Sequence, residues 1–175
     1  NRDQLNLFHQ PKAKMFSLMP KQGPFEEALV LDESGDAKAA EWYLKAIEEN
    51  DCMADAYCNL GIIESQNGHT AKAFDCFTAS LKNDPRHFES HYNLGNLYFD
   101  AGDLRLAQVH YEMATAMEPT FPNVYFNLAL VQAMSNDLQA AVSALGRYQE
   151  LVSEEEGRNA DELLLNLKKN LHAQN

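Results

Sequence analysis

At 175 residues with 45% apolar content, the chain has the size of one ordinary domain, and its formal net charge of −12 argues against a nucleic-acid surface, which needs clustered lysine and arginine. No apolar run approaches the roughly 18 residues that span a membrane, and no basic-then-apolar signal opens the sequence. Cys52, Cys58 and Cys76 are odd in number and lack C-x-x-C spacing, which predicts free thiols in a reducing, cytoplasmic setting.

Residues 1–23 carry no useful helical or strand period. Pro11, Pro20 and Gly23 punctuate them, yet Leu5, Leu7, Phe8, Met15, Phe16, Leu18 and Met19 are apolar. The reading is an extended arm that docks somewhere. Its net charge is +3 against −15 for the rest of the chain. The first residue is Asn rather than Met, which suggests a fragment or processed form of a longer protein, for instance the C-terminal part of a regulator with a DNA-binding domain ahead of it.

From Pro24, apolar residues fall at helical spacing: Phe25, Ala28, Leu29 and Leu31, then Ala40, Tyr43, Leu44 and Ile47 after a turn at Gly35. Further helix pairs are predicted from Ala54 to about Asn83, from Phe88 to about Glu118, and from Pro122 to Leu151. The block Tyr92 to Asp103 recurs at one fixed interval on either side, earlier as Cys58-Asn59-Leu60-Gly61 and later as Phe126-Asn127-Leu128-Ala129, and a fixed period of this size marks a repeat array. Gly35, Gly68, Gly102 and Asn136 stand at the turn inside each pair, where a left-handed residue commonly ends a helix. Asp36, Asp103 and Asp137 follow as capping carboxylates, with Thr70 beside His69 in the remaining pair. Five places after each turn comes a small residue (Ala40, Ala73, Ala107, Ala141), and four places later a large apolar one (Leu44, Phe77, Tyr111, Leu145). The small side chain allows close helix approach and the large one fills the space beside it. After Leu151, Glu154-Glu155-Glu156-Gly157 reads as a break, with Asn159 and Glu162 as a capping box for a last helix bearing Leu163, Leu164, Leu167 and Leu171 on one face.

The pattern Tyr57-x-x-Leu60-Gly61, Gly68, Ala73, Phe77 and Pro85, repeated as Leu94-Gly95-x-x-Tyr98, Gly102, Ala107, Tyr111, Ala114 and Pro119, resembles the tetratricopeptide repeat over roughly residues 21–151. The resemblance implies an all-α fold: a right-handed α-solenoid of about four helix pairs over residues 24–153, an extended arm at 1–23, and a C-terminal capping helix at 154–175. His91 departs from the pattern where a large aromatic is usual, Cys52 stands where proline is expected, and the first repeat is one residue short.

The resemblance also implies that first helices line a concave groove, and so a peptide-binding face built from Asn59, Ile62, Glu89, Tyr92, Asn93, Asn96, Phe99, Asp100, Asn123, Phe126, Asn127 and Leu130. Asn59, Asn93 and Asn127 form a column in which each amide offers a donor and an acceptor to an extended peptide backbone. If Tyr92, Phe99 and Phe126 face solvent they form an apolar patch suited to recognition; if they turn inward they are core. Some members of the family clamp a chaperone C-terminal carboxylate with Lys and Arg, and the corresponding places here, among them Asp55, Cys58, Ile62 and Glu89, hold neither. The groove is therefore expected to favour basic or neutral apolar peptides.

His87 and His91 are four apart, a spacing that suits a metal, but no further ligand sits at a matching spacing, so no metal is expected. No glycine-rich phosphate loop, nucleophile elbow or Cys/His pair at a recognisable spacing is present, and the reading is a non-enzyme without cofactor. The function expected is a protein–protein interaction scaffold with a protein or peptide partner, no nucleic acid and no membrane. Its alternative is a self-associating module, a homo-oligomer or internally plugged monomer, in which the arm docks in its own or a neighbour's groove.

Overall fold

The computed structural model describes residues 23–174, so the predicted arm, apart from Gly23, and Asn175 lie outside the described residues. The described residues form nine helices and no strand: α1 (Pro24–Glu33), α2 (Ala39–Glu48), α3 (Met53–Gln66), α4 (Thr70–Asn83), α5 (Phe88–Asp100), α6 (Leu104–Met117), α7 (Pro122–Met134), α8 (Leu138–Leu151) and α9 (Glu154–Gln174). They are an all-α helical-repeat array, and they divide into two compact units within α5, residues 23–93 and residues 94–174.

In the first unit α1 packs on α2, α2 on α3 and α3 on α4. Phe25, Ala28, Ala39, Tyr43, Ala46, Ala56 and Leu60 make a continuous core, with the Phe25 and Tyr43 rings 6.0 Å apart at 51°. In the second unit α6 packs on α7, α7 on α8 and α8 on α9. Its interior holds Ala107, Tyr111, Val124, Ala141 and Leu145, all fully buried, and Phe126 meets Tyr148 edge-on at 5.1 Å. Burying each large side chain is worth about 1.5–3 kcal/mol, which is what holds short helices of ordinary propensity in place.

The turn column forms as its sequence dictates. Gly35, Gly68 and Gly102 have φ of 72°, 78° and 78°, and Asn136 follows at 62°. Outside that column Asn50 and Cys52 are also left-handed, and the φ of 49° at Cys52 explains one departure from the repeat pattern, since proline is locked near −65° and cannot stand there.

Five expectations about local structure are corrected. Leu44 is 50% exposed, and the first repeat places Ala39 and Tyr43 where Ala73 and Phe77 stand in the second. The interval from Tyr43 to Phe77 equals that from Phe77 to Tyr111, so the period survives in α2 and the missing residue is absorbed next to the turn. Asp36 consequently does not cap α2 as its counterparts cap theirs; its carboxylate accepts from Lys38 N–H at 2.9 Å, and α2 starts only at Ala39. Asp103 and Asp137 do cap, accepting from Leu106 and Ala140 N–H at 3.1 and 3.2 Å. Thr70 does not cap α4. It is the first helical residue, and the preceding His69 uses its ring on Glu64 at 2.6 Å instead of on the helix. Nor do Glu154 to Gly157 form a break. They are the first turn of α9, where three carboxylates favour the positive end of the helix dipole. The capping box is Ser153 with Glu156, upstream of the one predicted: Glu156 N–H donates to Ser153 Oγ at 3.3 Å and Ser153 N–H donates to Glu156 Oε2 at 3.2 Å.

Gln132 carries one of the uncompensated polar atoms of the described residues. Gln132 is buried, and its Oε1 has no hydrogen-bond partner among the described residues. One repeat earlier stands Tyr98, whose ring stacks on His110 at 5.5 Å. Gln132→Leu is expected to stabilise the second unit by about 1 kcal/mol in urea unfolding, because it removes a buried acceptor that has lost its water. A fall in stability would show that the amide is used.

Candidate functional site

The first-helix residues singled out from the sequence fall into one set in each unit. In the first unit Asn59, Ile62, Tyr92 and Asn93 are all wholly buried, and Glu89 is half-buried. Asn59 is spent on the preceding repeat: its amide donates to Tyr43 Oη at 3.2 Å, and Tyr43 in turn donates to Asp32 Oδ2 at 3.0 Å. This chain ties α3, α2 and α1 together. Burial first, and the Asp32 carboxylate second, push the Tyr43 phenol far above its ordinary range, so it stays a donor at any physiological pH. Asn93 differs. Its Nδ2 donates to Glu89 carbonyl one turn back at 2.8 Å, while its buried Oδ1 has no partner among the described residues. Tyr92 turns inward and stacks on Phe88 with centroids 6.3 Å apart and planes at 15°.

In the second unit Asn96, Phe126 and Asn127 are buried, Phe99, Asn123 and Leu130 are half-buried, and Asp100 is exposed. Asn96 Oδ1 accepts from Tyr111 Oη at 2.7 Å and from Asn127 Nδ2 at 3.2 Å. Asn96 Nδ2 has no partner among the described residues. Partial desolvation raises the Asp100 carboxyl above the usual aspartate range. Of the three aromatics, then, Tyr92 and Phe126 are core, and Phe99 keeps partial exposure.

Sequence reasoning missed a buried polar chain behind this face. Ser80 Oγ donates to Ala54 carbonyl at 2.7 Å, Ser90 Oγ lies 2.7 Å from Ser80 Oγ, and His87 Nδ1 accepts from Ser90 N–H at 3.2 Å. On its other side His87 Nε2 donates to Asp55 Oδ1 at 3.2 Å. His87, only 6% exposed, therefore acts as the N-cap of α5 and joins α3, α4 and α5. The repeat register offers a signal for this chain. Ser80 stands in a column with Ala46 and Ala114, and Ser90 in one with Ala56 and Val124, so each serine occupies a place that is otherwise apolar and buried.

His91, 3% exposed, bonds through Nε2 to Pro85 carbonyl at 3.0 Å, and burial lowers its pKa. It is a packed side chain. The three cysteines are free thiols, and burial first raises all of them: Cys52 and Cys76 to about 11, and Cys58 further. They stay protonated and poorly nucleophilic at neutral pH. Among the described residues no group of three His, Cys, Asp or Glu side chains is arranged to hold a metal ion, and no helix is long and apolar enough to cross a membrane.

Comparison with known proteins agrees with this architecture. Residues 54–87 and 76–109 match two models described as tetratricopeptide repeat. Human tetratricopeptide repeat protein 8 is 30% identical over 101 residues, covering 58% of this chain and 19% of that protein, and the mouse protein is 31% identical over 101 residues, covering 58% and 20%. The chain thus spans about a fifth of the length of those relatives. Among solved structures, the first such repeat domain of Spaghetti (RPAP3), bound to the HSP90 peptide SRMEEVD, has a TM-score of 0.62 at 21% identity over 69% of this chain and 94% of that one. YrrB, described as having an unusual peptide-binding site, has a TM-score of 0.65 at 21% identity over 73% and 66%. MamA has a TM-score of 0.62 at 19% identity over 71% and 73%. At these identities the likeness is one of fold. With its fixed repeat period, its left-handed turn column and the matches over residues 54–109, this chain carries tetratricopeptide repeats over that stretch.

Proposed function

We propose that this chain is a non-catalytic protein-interaction module that holds an extended or helical peptide against its first-helix face, on α3 and the start of α5, and that the peptide is basic or apolar. One observation carries the reading: Asn93 Oδ1 is buried and unused by the described residues, although a buried acceptor without a partner costs about 1–3 kcal/mol. A peptide backbone N–H supplies that partner. One structural neighbour is bound to an HSP90 peptide and another is described as having a peptide-binding site, which supports the same class of function. Residues 23–93 hold 14 acidic and 5 basic side chains, a net charge of −9, so an acidic peptide such as SRMEEVD meets like charge and no clamp of lysine or arginine. The free thiols favour a reducing, cytoplasmic setting.

The test is fluorescence anisotropy with a panel of peptides of equal apolar content graded from acidic to basic. Affinity is expected to rise with positive charge, to fall with added salt, and to drop about tenfold, or 1.4 kcal/mol, in Asn93→Ala with helix content unchanged. Equal binding across the panel, or an unaffected Asn93→Ala variant, overturns the reading. A second reading is favoured by the opposite charges of residues 1–22 and the rest of the chain: self-association, with the segment of one molecule on a neighbour's face.

A further inference from the structure

Resting on that reading of the face, we infer that its resident occupant is residues 1–22 of the same molecule, so that the chain regulates its own site by competition. Three observations point to this segment. Its charge is complementary: Arg2, Lys12, Lys14 and Lys21 against Asp3, facing a unit of net −9. Its apolar residues, Leu5, Leu7, Phe8, Met15, Phe16, Leu18 and Met19, give it a mixed basic and apolar character. Its point of departure is fixed on the same unit. Gly23 lies against the Asp51 carboxylate so closely that a Cβ would stand 2.6 Å from Oδ2, and that same Oδ2 accepts from Phe25 N–H at 2.9 Å.

Reach and concentration then favour the intramolecular form. Twenty-two residues extend to about 70 Å, whereas α5 is about 20 Å long and a unit of this size has a radius of gyration of about 11 Å. Every point on the unit is therefore within reach of the tether. A short tether holds its end at an effective concentration in the millimolar range, well above the concentration of a second molecule in a dilute solution. Occupancy in cis thus dominates over exchange between molecules unless the tether cannot follow the face. The bond expected at the centre is a backbone N–H of the segment donating to Asn93 Oδ1, the acceptor that the described residues leave unused.

The experiment uses the full chain and a labelled synthetic peptide copying residues 1–22. It compares wild type with a full-length variant carrying Arg2→Glu, Lys12→Glu, Lys14→Glu and Lys21→Glu, whose own segment is repelled. The peptide is expected to bind the charge-reversed chain at least tenfold more tightly than wild type, and a chain lacking residues 1–22 should match the charge-reversed one if its helix content is preserved. Equal affinity for wild type and the charge-reversed chain overturns self-occupancy. So does a wild-type dimer that the charge reversal dissociates, because it moves the occupant to a neighbour. An unrelated basic, apolar peptide separates the two levels of the argument. If it binds wild type and the variant equally, the peptide-binding face stands and the internal occupant falls; if no peptide binds either form, both fall.

Discussion

Replacing Gly95 by alanine is expected to destabilise the unit of residues 94–174 by about 1–2 kcal/mol, and the same replacement in a Tyr111→Leu background is expected to cost nothing or to stabilise slightly. A Cβ on Gly95 would lie 2.5 Å from Tyr111 Cε1 and 2.6 Å from Cδ1. That ring cannot retreat easily, because Tyr111 is fully buried and its hydroxyl is held by Asn96 Oδ1 at 2.7 Å. The overpacking penalty of about 1–3 kcal/mol therefore exceeds the gain of up to about 1 kcal/mol that alanine brings to a helix. The chain contains its own control one repeat later. In the same register stand Ala129 and Leu145, both fully buried, so a methyl group is accommodated where the facing side chain is leucine. A double-mutant cycle followed by urea unfolding measures the coupling directly. If Gly95→Ala has the same effect in both backgrounds, the contact with the ring is not what excludes the methyl group. The second repeat predicts a weaker form of the same effect, since a Cβ on Gly61 would stand 2.8 Å from the Phe77 ring, which no hydroxyl bond anchors.

This pair also shows what the sequence can disclose. The repeat period placed glycine at 61 and 95 and an aromatic at 77 and 111, and periodicity alone was enough to read both as structural. The left-handed turns were legible for the same reason: few residues tolerate φ near 70°, so glycine and asparagine announce them. Position within the first repeat was harder to read. Counting from Gly35 put Leu44 inside, whereas counting one full period back from Phe77 puts Tyr43 there, and packing obeyed the repeat rather than the turn. The start of α9 was misplaced because three glutamates look like a solvated break in one dimension and like a favourable first turn in three.

The candidate face was legible only in outline. Asn59, Asn93 and Asn127 share a register that the sequence displays, but their hydrogen bonds depend on what the neighbouring helices offer them. Asn59 gives its donor to the Tyr43 hydroxyl. The register partner of Tyr43 in the next repeat is Phe77, which has no hydroxyl, and Asn93 turns its donor to the Glu89 carbonyl on its own helix. Identity at one register position therefore predicts location and not availability. The same logic separates Tyr92 and Phe126, which are core, from Phe99, which retains some exposure.

His87→Ala is expected to destabilise the unit of residues 23–93 by about 2–3 kcal/mol, with about 1 kcal/mol recovered in His87→Asn. Two separate losses make up the larger figure. The Ser90 amide at the third position of α5 gives up its acceptor, Nδ1 at 3.2 Å, and the Asp55 carboxylate gives up the Nε2–H at 3.2 Å that compensates its partial burial. The tautomer with hydrogen on Nε2 makes both bonds at once, Nδ1 accepting from the Ser90 N–H and Nε2–H donating to Asp55. Asparagine has the short side-chain oxygen that caps helices well, and it replaces the first bond but is too short to span to Asp55 as the imidazole does. Amide hydrogen exchange distinguishes the two contributions. The Ser90 amide should lose protection in His87→Ala and keep much of it in His87→Asn, while overall stability in His87→Asn remains below wild type. If the two variants lose equal stability and equal protection at Ser90, the imidazole contributes volume to the core and not a cap.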